Sequence, residues 1–113
     1  MTPEYNHSIS GVLKNAIDYL TFEMTKKPAT AVGHGTVGGA RAIMQLKDIL
    51  SESQAAIIPK TVSVAHASDL IDEDGNLNAE QLANPYGPQT ALKTALAELK
   101  WYSDALAAAR AQQ

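Results

Sequence analysis

Two short apolar runs constrain this chain most. Ala29-Thr30-Ala31-Val32 ends in glycines, as a buried strand does, and Ile57 to Val64 is a second run that Pro59 splits and restricts in pairing on one side. Each run stands between helical stretches. From Ser10 to Leu20, apolar residues fall at Val12, Leu13, Ala16, Ile17 and Leu20, one face of a helix that Ser8 or Ser10 can cap. A second helix is expected over Gly39 to Ser51, with Ala42, Ile43, Leu46, Ile49 and Leu50 inward. After the punctuation Asn84-Pro85-Tyr86-Gly87-Pro88, a long last helix from Gln89 to Ala111 is expected to bury Leu92, Ala95, Leu96, Leu99, Tyr102 and Leu106. Helices alternating with apolar strands imply an α/β fold, a parallel sheet with helices on both faces. Two strands make a poor sheet, however, because an isolated pair is marginal in water. The chain is expected either to assemble with copies of itself or to belong to something larger.

With 113 residues there is room for one domain, taken as residues 1–113. A net charge of −3 with scattered Lys and Arg gives no footprint for nucleic acid or an anionic membrane. The absence of cysteine excludes disulfides, thiolate catalysis and cysteine-held metals. His7, His34 and His66 show no helical pairing that suggests a metal site. No leader pattern and no apolar run of ~20 residues is present, so a cytoplasmic chain is expected.

Chemistry-bearing patterns are few. Gly33-x-Gly35-x-x-Gly38, after a strand and before a helix, matches the dinucleotide fingerprint, but the acidic residue expected about 20 positions on is missing. Plain strand-to-helix turn glycines are a second reading of it. His34 between glycines is expected at an exposed loop tip. Asp72-x-Asp74-Gly75-Asn76 reads as a turn, since its glycine and twelfth position do not suit a calcium loop. Glu4 has no evident partner in the sequence, and Ser8, His34 and Asp18 do not make a convincing triad. Trp101 and Tyr102 read as packing or interface residues.

The opening Thr2-Pro3-Glu4-Tyr5-Asn6-His7-Ser8 and its continuation Gly11-Val12-Leu13-Lys14-Asn15-Ala16-Ile17-Asp18 resemble the NAD(P)H-dependent FMN reductase family of flavodoxin-like proteins. Ser10 stands where that family usually has proline. The likeness continues through Lys27-Pro28, Gly33-His34-Gly35, Gly38-Gly39-Ala40-Arg41, Asp72-Glu73-Asp74-Gly75 and Leu99-Lys100-Trp101. It implies a flavodoxin-like three-layer αβα fold with a parallel sheet, truncated to helix, strand, helix, strand, helix and lacking the N-terminal strands. The resemblance further implies that Pro3, Glu4, Tyr5, Asn6 and Ser8 line one side of an isoalloxazine ring. Gly33, His34, Gly35, Gly38, Gly39 and Arg41 would form the loop flanking it. FMN is the implied cofactor and NAD(P)H the co-substrate, with hydride passing to flavin and then to a flavin or quinone acceptor. No side-chain acid or base is required by that chemistry.

The family's phosphate-cradling loop has no counterpart in the sequence. Losing even two charge-assisted hydrogen bonds costs about 4 kcal/mol, roughly a thousandfold in affinity, so FMN binding by this chain alone is expected to be weak or absent. Two rival readings stand beside the reductase: a non-catalytic α/β module that forms a homo-oligomer through its open sheet edge, and a dinucleotide-binding domain acting without flavin.

Overall fold

The computed structural model describes residues 1–112. Its sheet has three parallel strands, one more than the apolar runs announce. Strand β1, Thr2–Pro3, lies at one edge beside β3, Val32–Gly35, which pairs in turn with β5, Val62–Ala65. The register aligns Thr2 with Gly33 and Ser63, and Pro3 with His34 and Val64. A short second ladder continues the same two runs, with β2, Pro28–Ala29, paired to β4, Ala56–Ile57. Between the Ala29–Ile57 and Val32–Val62 pairs lie two residues on one strand and four on the other. That excess around Pro59 is a bulge, which a proline without an N–H favours. The Thr30 hydroxyl closes it by donating to the Lys60 carbonyl, 2.5 Å away.

Partners across a parallel ladder share a face, so Thr2, Gly33 and Ser63 point one way and Val32, Val62 and Val64 the other. Helix α2, Ala40–Glu52, packs on the first face and buries Ala42, Ile43, Leu46 and Leu50. It sits close. A Cβ added at Gly33 would stand 2.8 Å from both the Ile43 side chain and the Gly39 carbonyl, and Thr2 is fully buried beneath. Helix α1, Gly11–Asp18, is capped by Ser10, whose Oγ accepts from the Leu13 N–H. It contributes Ile17 to a core that also holds Ile9, Ala29 and Ala31.

The other face is covered only in part. Helix α4, Pro88–Arg110, opens with proline at its first position and packs against β5 and β2. The Arg110 guanidinium ties its far end to the Lys26 carbonyl. A 3₁₀ turn at Ala67–Asp69 and a five-residue helix α3, Ala79–Ala83, fill the connection and were not legible in its polar sequence. Asp72 Oδ1 accepts from the Asp74 and Asn76 N–H groups, which makes that acidic stretch a turn, as its spacing indicates.

Burial corrects two expectations. Of the six apolar residues assigned inward on the last helix, only Ala95 is buried, while Leu92 and Leu96 are exposed. On α1, Val12 is 83% exposed and Ala16 faces solvent too. The helical periods are real, but three strands offer too little surface to cover every apolar stripe. A radius of gyration of 15.5 Å, against about 13 Å for a compact domain of this length, reports the same shortfall.

Replacing Gly33 by alanine is therefore expected to cost about 1–3 kcal/mol in urea denaturation, because α2 must move off the sheet. Gly11→Ala, with nothing within 4 Å of the added carbon, is expected to be neutral or stabilising by up to ~1 kcal/mol. Equal effects of the two would contradict this packing.

Candidate functional site

Beyond β1 the chain reverses in a two-residue turn. The Tyr5 N–H donates to the Ser8 carbonyl at 3.0 Å and the Ser8 N–H returns to Tyr5 at 2.9 Å. Between them Asn6 and His7 have φ of 48° and 66°. Both central residues of a type I′ turn need positive φ. Asparagine and histidine are among the non-glycine residues that enter that region most readily, though each does so less freely than glycine. The turn leans on α2, where the Ser8 hydroxyl donates to Gln45 Oε1.

Glu4 is the residue that joins this loop to the next. Helix α2 begins after Gly39, which has φ of 71° and no side chain to cap the helix, and its first turn holds no acidic residue. The missing cap comes from 37 residues away. Glu4 Oε2 accepts from the Arg41 backbone N–H at 3.0 Å, and Oε1 pairs with the Arg41 guanidinium at 2.6 Å. Its side chain is only 7% exposed, and its own N–H donates to the His34 carbonyl. A carboxylate at a helix N-terminus meets free N–H groups and the positive end of the helix dipole.

Two sequence readings change here. Glu4 does have a partner, one that only folding supplies. The Gly33-x-Gly35-x-x-Gly38 loop leads to a helix end already filled by a carboxylate, so it does not stand ready for a pyrophosphate. Its glycines serve close packing: Gly33 under Ile43, Gly38 against Ser63 Cβ, and Gly39 with a virtual Cβ 2.5 Å from the His34 nitrogen.

The two loops enclose an open cleft of about 420 Å³ lined by Glu4, Asn6, His7, Thr36, Val37 and Arg41. Of the residues expected at a cofactor site, Glu4, Asn6 and Arg41 therefore meet in one place. Pro3, Gly33 and Gly35 are strand residues beneath it, and Gly38 and Gly39 form the helix entry. Tyr5 is exposed, and Ser8 is engaged with Gln45. His34 is not at a loop tip; it is a half-buried residue of β3. His7, Thr36 and Val37 lie within the two expected loops, and the structure brings their side chains to the cleft as well. An exposed valine between Gly35 and Gly38 was the signal, since turns there ordinarily carry polar residues. Among the described residues, no group of histidines and carboxylates could hold a metal ion.

The family model for NADPH-dependent FMN reductases matches residues 1–69, both cleft loops included. The chain belongs to this family. Among its relatives, the NADPH azoreductase of Bacillus sp. strain OY1-2 is 38% identical over 82 residues, 70% of this chain and 44% of the relative. An NAD(P)H-dependent FMN reductase of Nectria sp is 50% identical over 48 residues, 42% of this chain and 24% of the relative. The flavoenzyme NAD(P)H:(acceptor) oxidoreductase FerB of Paracoccus denitrificans superposes with a TM-score of 0.66 at 28% identity, over 91% of this chain and 58% of that one. The flavodoxin-like α/β fold follows from the likeness. This family member matches less than half the length of each of those two curated relatives.

Glu4→Ala removes the helix cap and the ion pair together and is expected to destabilise by about 1–2 kcal/mol. Arg41→Ala keeps the backbone cap and its half-exposed guanidinium is screened by water, so a cost below ~1 kcal/mol is expected. A thermal-melt series in which Arg41→Ala costs more than Glu4→Ala would rule out the cap as the main contribution. His7→Gly, which relieves positive φ, is expected to raise stability by about 0.5–1 kcal/mol.

Proposed function

We propose that this chain carries the flavin-ring half of an NAD(P)H-dependent flavin or quinone reductase. The observation that carries the reading is the convergence of the Pro3–Ser8 and Thr36–Arg41 loops on one cleft, within a family of FMN reductases. Relatives named as an azoreductase and a quinone reductase support a planar conjugated acceptor in this reading.

The residues present fit a ring and do not fit a phosphate. The cleft falls within the usual range for small-ligand sites, roughly 300–1,000 Å³. Val37 supplies an apolar wall, and the Asn6–His7 turn supplies backbone and side-chain polar groups for a heterocycle's edge. Arg41 keeps its guanidinium at the cleft while Glu4 fixes its position. The helix N-terminus that would attract a phosphate is occupied by Glu4. When bound, a flavin supplies the hydride chemistry itself. The protein's part is to hold the ring between the two loops and limit water at its face. That division of labour needs no acid–base residue, in keeping with Glu4 being engaged as a structural anchor.

The rival reading, a non-catalytic module that assembles through its open sheet edge, meets a blunted edge at β1. Pro3 has no N–H to offer, and its carbonyl already accepts from the Thr2 hydroxyl at 2.9 Å. The dinucleotide reading loses its phosphate site to Glu4. The reductase reading is therefore preferred, with flavin and nicotinamide nucleotides as its partners.

Titrating the purified chain with FMN and, separately, with riboflavin tests this by flavin fluorescence. Saturable binding of both, with affinities within about threefold of each other, is expected of a site that holds the ring alone. Binding of neither would overturn the flavin reading. FMN binding far tighter than riboflavin would show that a phosphate site exists after all.

A further inference from the structure

Three ionisable side chains line the cleft between the two loops, Glu4, His7 and Arg41, and two of them cancel. Glu4 and Arg41 pair at 2.6 Å, so neither charge is left over for a ligand. His7 is different. It is exposed, it lines the cleft, and its imidazole has no hydrogen-bond or ion-pair partner among the described residues. The Asn6 amide and the Thr36 hydroxyl, exposed in the same lining, are equally without partners there. The backbone beneath His7 is fixed, because Tyr5 and Ser8 bond to each other across the turn and Ser8 is tied to Gln45 of α2.

No carboxylate other than Glu4 lines the cleft. On the elements packed nearby, Lys14 and Asp18 of α1 pair with each other, and Lys47 of α2 donates to the Pro59 carbonyl. Asp48 lies about two turns beyond Arg41 along α2. His34 aligns with Val64, on the sheet face away from α2. A ligand entering the cleft therefore meets one uncompensated ionisable group, His7, flanked by an amide and a hydroxyl that can donate to an oxyanion.

We infer that His7 is a specificity-determining residue, which makes the cleft favour planar acceptors carrying a carboxylate or sulfonate over neutral ones of the same shape. This role rests on the cleft being a flavin and acceptor site, and it adds the charge of the acceptor. Histidine is the ordinary side chain whose charge changes between about pH 5 and 8, so the preference strengthens as pH falls. A sulfonate keeps its charge over that range, which makes pH a probe of the protein's charge and not of the ligand's. An exposed ion pair of this kind is worth about two- to fivefold in affinity.

The test uses the full 113-residue chain and two probes sharing one ring system, anthraquinone-2-sulfonate and the neutral 2-(hydroxymethyl)anthraquinone. Equilibrium dialysis at about pH 5.5 and about pH 8 gives the ratio of their dissociation constants. In the wild-type chain the preference for the sulfonate is expected to be about threefold greater at the lower pH. His7→Asn keeps a residue suited to positive φ, and its ratio is expected to be the same at both pH values. His7→Lys is expected to show the larger preference at both. A wild-type ratio that does not move with pH overturns the proposal. So does one that moves as much in His7→Asn, since the charge would then lie on His34 or His66. Failure of the sulfonate to bind at about 1 millimolar overturns it as well. Riboflavin, titrated in parallel, separates this role from the flavin reading. A chain that binds riboflavin without sorting the two anthraquinones loses only the role of His7, and one that sorts them without binding riboflavin keeps that role and loses the flavin.

Discussion

The carboxylate of Glu4 at the N-terminus of α2 is the contact on which the rest of this structure turns. A helix starting from a left-handed glycine brings no cap of its own, and its unpaired N–H groups would otherwise face the cleft. Taking the cap from the opening segment fixes three things at once. It sets α2 along β3, it pins β1 at the sheet edge, and it turns two distant loops into one concave surface. The Arg41 guanidinium adds direction to the contact more than it adds energy, being half exposed.

That contact works only because α2 lies very close to the strands. Gly33 and Gly39 leave no room for side chains between helix and sheet, so the Glu4 carboxylate reaches the helix end. The same closeness explains why a glycine pattern typical of phosphate loops occurs where no phosphate can settle. Glycine spacing records backbone proximity, and proximity can serve packing as readily as a ligand.

The other face of the sheet tells the opposite story. There the strands present valines, and the helix beside them, α4, extends along the sheet with Leu96 and Trp101 uncovered. Trp101 and Tyr102 meet edge to face at 5.0 Å, with Trp101 exposed and Tyr102 half-buried. One side of the molecule packs into a buried cluster around Ile43 and Leu46, and the other keeps an open apolar lane. The cleft belongs to the α2 side, where Glu4 and Ser8 tie its first loop to that helix.

The sequence alone determined the three longer helices, because their periodicity is local: Ala42, Ile43, Leu46 and Leu50 face inward where the 3.6-residue spacing puts them. It also determined the turn at Asp72, the break at Pro59 and, through the motif beginning at Pro3, the family. Strand β1 was hidden, since two residues carry no period, and only a partner three decades of sequence away makes Thr2–Pro3 a strand. The inward assignments of Val12, Leu92 and Leu96 failed for a related reason: periodicity says which residues share a face, and only the tertiary structure decides whether anything covers it. The pairing of Glu4 with Arg41 lies wholly on that second level. Charge and spacing could not reveal it, because an ion pair across 37 residues exists only once the sheet has brought its two loops together.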